Sequence, residues 1–243
     1  MKTRTREGGF TLVEIAIVLV IIGLLLGGIL KGQELITSAR VRNLADQASA
    51  VQAAYYGFVD RYRAIPGDMR TTQVCGALGN VWETCPDSGP GGDGDSIIES
   101  FPEAAAVWAH LSESRFLQGS YPGTAPDVGT YTSTTPPTQA PTNPWQGPLL
   151  LARTDNYLQE TGTPAPRLHI ILGRNIPVNV MRELDVKIDD SQPGNGVLRA
   201  PGPDPTDFDT VGQEGTTPCV VAGTPDIWNI TDASVDCNGY YLF

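Results

Sequence analysis

The sequence predicts an α+β fold: one long N-terminal helix packed on a small antiparallel sheet with large loops. Three observations predict it. An apolar run of 21 residues, Phe10 to Leu30, lies near the start and passes into an apolar stripe at helical spacing that lasts to Tyr62. Short apolar runs bounded by Pro and Gly come only in the second half, which is the pattern of strands. Gly and Pro make up 40 of the 180 residues after Arg63, a content high enough for large loops but short of a disordered composition.

About 20 apolar residues cross a hydrocarbon core as a helix. The run "FTLVEIAIVLVIIGLLLGGIL" has that length and carries a single charge, Glu14. A carboxylate at such depth costs roughly 2–3 kcal/mol by insertion scales, so a partner is required. No Lys, Arg or His lies within the run. The charge partner must come from another chain or from a newly made amine. Lys2, Arg4 and Arg6 precede the run and place residues 1–9 on the cytoplasmic side. The run ends in "LKGQELI" without the small-residue cleavage pattern of a secretory signal. The small pair Gly8-Gly9 lies before the run instead. Cleavage after Gly9 would leave Phe10 as a new N-terminus with its own cation.

"GGFTLVE" followed by an apolar helix resembles the class III signal of type IV pilins and the related type II secretion pseudopilins. The resemblance implies that a prepilin peptidase cuts between Gly9 and Phe10 and N-methylates Phe10. It also implies that Glu14 of one subunit neutralises the Phe10 amine of its neighbour in a filament. The expected layout is then the pilin-like one: a leader at 1–9, a long helix at 10–63 with 10–30 crossing the membrane, and a globular head at 64–243.

The helix continues because Leu35, Leu44, Ala48, Val51, Tyr55, Phe58 and Tyr62 fall on one face. Gly23, Gly27, Gly28 and Gly32 weaken it, each by about 1 kcal/mol against Ala. Many related pilins have Pro where this chain has Lys31, so the expected softening rests on the glycines. Close glycine packing between membrane helices is the competing reading. "YRAIPGDM" ends the helix, since Ile65 precedes Pro66. Together with "VWAHLSESRFLQG" it resembles a group of large pilin-like proteins.

The Gly-rich segment from there to Ser100 is expected to loop over the surface. Ser100 and Glu103 form a capping-box pattern, with Phe101, Ala105, Trp108 and Leu111/Ser112 as the inner face of a short helix. Residues 119–148, with seven Pro, seven Thr and one charge, read as a surface excursion. Residues 148–155 and 167–173 read as strands, as do 195–200 and 239–243. Residues 175–190 read as a helix capped by Asn175, with Val180, Leu184 and Ile188 on one face.

Cys75, Cys85, Cys219 and Cys237 all follow the apolar run. An export signal and an even count favour disulfides. Of three pairings, Cys75–Cys85 and Cys219–Cys237 are expected because each closes a compact loop. The second would contribute about 3 kcal/mol in the chain-entropy model, and it resembles the C-terminal disulfide loop of many pilins. Zinc is disfavoured: paired C-x₂-C spacing is absent and only His110 and His169 are present.

The sequence shows no catalytic constellation and no phosphate-binding glycine loop of the G-x-x-x-x-G-K-[ST] form, so an enzyme is not expected. Without residues 1–9, 13 basic residues stand against 26 acidic ones, a net charge of −13. That balance argues against non-specific nucleic-acid binding. No cofactor is expected. Two acidic clusters are the calcium candidates: Asp93, Asp95 and Glu99, and Asp185, Asp189 and Asp190. Neither has the full D-x-[DN]-x-[DN]-G spacing, although related pseudopilins bind calcium in their C-terminal regions.

The expected function is a structural subunit of a type IV pilus serving adhesion, motility or DNA uptake. Its partners would be copies of itself or other pilins, the prepilin peptidase, and a pilus or secretion assembly machinery that supplies ATP hydrolysis. Before assembly it would sit in the inner membrane with its head in the periplasm, and afterwards in an extracellular pilus or periplasmic pseudopilus. The alternatives are a minor pilin or type II secretion pseudopilin, and a non-polymerising anchor that presents a periplasmic binding domain.

Overall fold

The structure, a computed structural model, describes residues 11–78, 91–123, 138–202, 219–223, 225–231 and 234–243. Its internal contacts divide the chain into two units, Met1–Arg40 and Val41–Phe243. The division falls inside the first helix, α1 (Leu12–Tyr62).

In the first unit the apolar half of α1 is helical throughout, and its side chains are exposed from Leu12 to Leu30. In the second unit α1 changes character. Val41, Leu44, Ala48, Val51, Ala54, Tyr55 and Phe58 are buried at steps of three and four, the spacing of one helical face. Leu35, read as the start of that face, is exposed. The helix stops at Arg63, whose φ of 53° is left-handed.

The following turn depends on one glycine. Gly67 has φ 92°, and a Cβ there would meet the Glu103 carbonyl oxygen at 2.5 Å. Its N–H donates to Nδ1 of buried His110 at 2.8 Å. The end of α1 is thereby pinned to α3 (Phe101–Glu113). Between them lies α2 (Thr71–Leu78), a helix within the segment that the sequence predicts as surface loop. Its eight residues bury only Val74, which leaves too little periodicity to recognise.

The capping box of α3 is present: Ser100 Oγ accepts from Glu103 N, and Glu103 Oε2 accepts from Ser100 N at 3.0 Å. The single inner face expected for this helix is corrected. Every residue from Glu103 to Ser112 is buried, while Phe101 is only half-buried. Ala104, Ala105, Ala106 and Ala109 project little, so neighbouring segments close on every side of the helix.

The sheet is antiparallel, in the order β1-β2-β6-β3: β1 (Leu150–Thr154), β2 (Arg167–Ile171), β3 (Leu198–Arg199) and β6 (Tyr240–Leu242). Leu150 pairs with Ile171, Ile171 with Tyr240, and Arg199 with Tyr240. Leu149–Ala152 and Ile170–Leu172 are buried on both faces, which explains their unbroken apolar sequence. The terminal Phe243 packs edge-on against Tyr55 at 5.5 Å between ring centroids. Asn143, in the Pro- and Thr-rich stretch, is buried and organises the approach to β1. Its Nδ2 donates to the Leu172 and Arg174 carbonyls at 2.9 Å, and its Oδ1 accepts from Trp145 N and Gly147 N.

Helix α4 (Val178–Ile188) buries Val180 and Leu184, with Ile188 half-buried, as the spacing predicts. Its cap differs. Asn175 has φ 69° and its N–H donates to Asp236 Oδ1, while extended Pro177 occupies the N-cap without a side-chain bond. Ile176 precedes Pro177 and is pushed out of the helical region, so the helix starts only at Val178 and Asn175 lies two residues before the N-cap.

A second small sheet pairs β4 (Val220–Val221) with β5 (Ile227–Trp228). The buried Cys219–Cys237 disulfide closes this hairpin. Cys75 is also disulfide-bonded; Cys85 lies outside the described residues. Asp236 forms a two-pronged ion pair with Arg174, which ties the hairpin back to the end of β2. Replacing Cys219 and Cys237 by Ser is expected to lower stability by about 3 kcal/mol, read as a reduced denaturant midpoint with a steeper slope, because the unfolded chain without its cross-link exposes more surface.

Candidate functional site

Gly9 and Phe10 lie outside the described residues. Glu14, just inside α1, does not wait unbonded for a partner. Its Oε2 accepts from both Thr11 N and Thr11 Oγ1 at 2.8 Å, and its own N–H donates to Thr11 Oγ1 at 3.3 Å. This is the reciprocal bonding of a capping box, and "TLVE" shows the T-x-x-E spacing that the sequence reading passed over. The hydrogen-bonding requirement of the carboxylate is met within the chain. Its charge is not: among the described residues Glu14 takes part in no ion pair.

From Leu12 to Leu30 the helix offers an uncovered apolar surface. Among the described residues, a Cβ added at Gly23, Gly27, Gly28 or Gly32 would meet nothing within 4 Å. The helix remains unbroken through these glycines, which leave notches where another helix can approach closely.

The acidic clusters resolve differently. The first gathers Asp93 and Asp95 around buried Asp68, and Glu99 does not join them. Asp68 Oδ1 accepts from Gly94 N at 2.8 Å and Asp95 N at 3.1 Å, and its Oδ2 from Ser96 N at 2.8 Å. Both oxygens accept from backbone donors, so this carboxylate closes a loop, and one oxygen each of Asp68, Asp93 and Asp95 lies within 4.8 Å of the others. Glu99 donates its N–H to Glu103 Oε2 at 2.9 Å and belongs to the cap of α3. In the second cluster, Asp185, Asp189 and Asp190 each bring an oxygen within 4.8 Å of the others. Asp185 is fully buried, and burial raises its pKa to about 6. The two histidines are core residues. His110 accepts from Gly67; His169 lies between Tyr157 and Tyr240, and burial lowers its pKa to about 4.

An apolar exposed helix, a glycine pair ahead of it and one carboxylate in its first turn form a single motif. Residues 4–30 match the family model of the prokaryotic N-terminal methylation motif. The chain carries the type IV prepilin signal. No curated protein and no solved structure matches the chain.

A chain with a prepilin signal is pilin-like or pseudopilin-like, and the signal points to a structural protein. It implies a prepilin peptidase and assembly with other pilins in general. The helix behind the signal is long and apolar enough to cross a membrane, which fits inner-membrane anchoring before assembly. Two residues of the site escaped the sequence reading. Thr11 was legible from the T-x-x-E spacing; Asp68 stands 25 residues from Asp93, and only the fold brings them together.

Proposed function

We propose that the protein is a structural subunit of a type IV pilus, cleaved after Gly9, N-methylated on Phe10 and assembled through α1. The observation that carries this reading is the coincidence of the prepilin signal with a helix half that is apolar and uncovered along its length. About 20 exposed apolar residues are stable only in lipid or among other helices. Phe10 and Glu14 are the assembly pair in this reading. The Phe10 ammonium of one subunit supplies the charge that Thr11 cannot, and the Glu14–Thr11 bonds hold the carboxylate at the helix end to receive it. Gly23, Gly27, Gly28 and Gly32 soften the helix or seat neighbouring helices as subunits pack. The filament would serve adhesion, motility or DNA uptake from outside the cell.

A minor pilin or pseudopilin is the second reading, favoured by the size of the head. A tip subunit need not repeat its bulk along a shaft. Abundance separates the two, since a major subunit dominates sheared filaments.

Gly9→Asp tests the assignment. The expected result is an unprocessed chain that accumulates in the membrane and is missing from sheared filaments. A variant that functions fully as an unprocessed chain identifies a non-polymerising anchor instead, and one still cut at position 9 removes Gly9 from the assigned cleavage site.

A further inference from the structure

His169 lies on β2, between β1 and β6, and its strand partners are Ala152 and Leu242. The side chain is fully buried, and among the described residues neither ring nitrogen has a hydrogen-bond partner. The imidazole sits between two tyrosine rings, Tyr157 at 5.0 Å and Tyr240 at 5.7 Å between centroids. Two charged groups act on it, Arg167 of β2 and Arg199 of β3, and both are cations. The Arg199 guanidinium lies over the Tyr157 ring at 5.2 Å. Ala152 and Leu242 bring no charge from β1 or β6, and His169 takes part in no ion pair among the described residues. Tyr157 belongs to the connection between β1 and β2, residues 155–166, and is its most buried residue. That connection is held mainly to itself and to residues 194–200. Tyr157 Oη donates to the Ala165 carbonyl at 3.0 Å and accepts from Ala165 N at 3.2 Å. Leu158 N donates to the Ala200 carbonyl, and Glu160 N to the Gly194 carbonyl.

We propose that His169 is an acid-sensitive latch whose protonation releases the β1–β2 connection from the sheet. A buried cation without an acceptor, facing two further cations, is unfavourable. Attraction to the two tyrosine rings returns only part of the lost hydration. β2 is paired on both edges, so the strand resists movement. The connection has no strand partner on its outer side and yields first. Once Tyr157 lifts, water reaches the imidazole. Burial is the main cause that lowers the His169 pKa from 6.5 to about 4; the Arg167 backbone pulls the other way, and the charges of Arg167 and Arg199 add to the lowering. The fold therefore favours the neutral ring. Its contribution to stability is complete above about pH 6.5, is lost as the pH falls towards 4, and changes no further below that. From this residue alone, the folding constant at pH 5 is expected to be about 30-fold smaller than at pH 8. Asp185, whose pKa burial raises, changes stability in the opposite sense as the pH falls, so the effect is read against variants at each pH. The latch does not depend on filament assembly.

The test uses the mature full-length chain in detergent, with His169→Phe and His169→Gln as two uncharged replacements. Urea unfolding at pH 8 and pH 5 should show the wild-type folding constant falling about 30-fold more than that of either variant. Hydrogen exchange places the effect. In peptides covering 155–166 the exchange rate of the wild-type protein relative to a variant should rise roughly tenfold from pH 8 to pH 5, while the same ratio in α3 stays constant. Imidazole NMR of the folded wild-type chain has only two histidines to resolve, His110 and His169, and the His169 signal is the one lost in both variants. It should report a neutral ring at pH 5.5. A charged His169 ring at that pH overturns the proposal. So does the same pH dependence in the wild-type protein and both variants, or an exchange change as large in α3 as in 155–166.

Discussion

Glu14→Ala is expected to abolish filament assembly. In the proposed filament each Phe10 ammonium is buried among helices and meets a Glu14 carboxylate. Removing one member of a buried pair costs about 3–5 kcal/mol because the other charge is stranded. At about 1.4 kcal/mol per tenfold, the yield of sheared filaments should fall more than 100-fold while the chain remains processed and membrane-bound. Glu14→Gln separates the two roles of the residue. The amide oxygen can still accept from Thr11, as Oε2 does, but it carries no charge. Assembly lost in both variants assigns the effect to charge pairing. Assembly retained in Glu14→Gln would make the residue a helix cap and nothing more.

Trp108→Ala is expected to produce the largest loss of stability in the head. Trp108 is fully buried in the middle of α3, where ten consecutive residues are covered. Truncating such a side chain costs about 3–5 kcal/mol, part of it for the cavity left behind. Among the described residues the indole N–H has no hydrogen-bond partner, so removing that orphan offsets some of the loss and places the effect near the lower bound. For a chain of this size the midpoint should fall by about 6–12 °C. Val235→Ala, at an exposed apolar position, should stay within about 0.5 kcal/mol of the wild-type protein. Similar losses in both variants would contradict the burial of α3.

What the sequence made legible was local. The helix to Tyr62, the capping box of Ser100 and Glu103, and strands β1 and β2 each follow from spacing or from residues three apart. The prepilin signal is equally local, which is why residues 4–30 match a family model. What stayed hidden depends on distant pairing. The all-round burial of α3 needs partners on every side. The hairpin β4–β5 has two-residue strands held by a disulfide and by the Arg174–Asp236 pair, too short to leave a pattern. Asn143 sits in a stretch that composition marks as loop, yet it binds backbone about 30 residues away. Asn175 misled because its type suits a cap, whereas Ile176, held out of the helical region by Pro177, delays the helix to Val178. Asp189 and Asp190 were visible as neighbours, but the burial of Asp185 against Trp228 was not.

The central claim is that processing creates the cation that Glu14 needs. Intact-mass and N-terminal peptide mass spectrometry of the protein purified from cells measures this directly. The account predicts a chain that begins at Phe10 and carries one methyl group on its terminal nitrogen. A purified protein that retains Met1, or a terminus at any other residue, would contradict it.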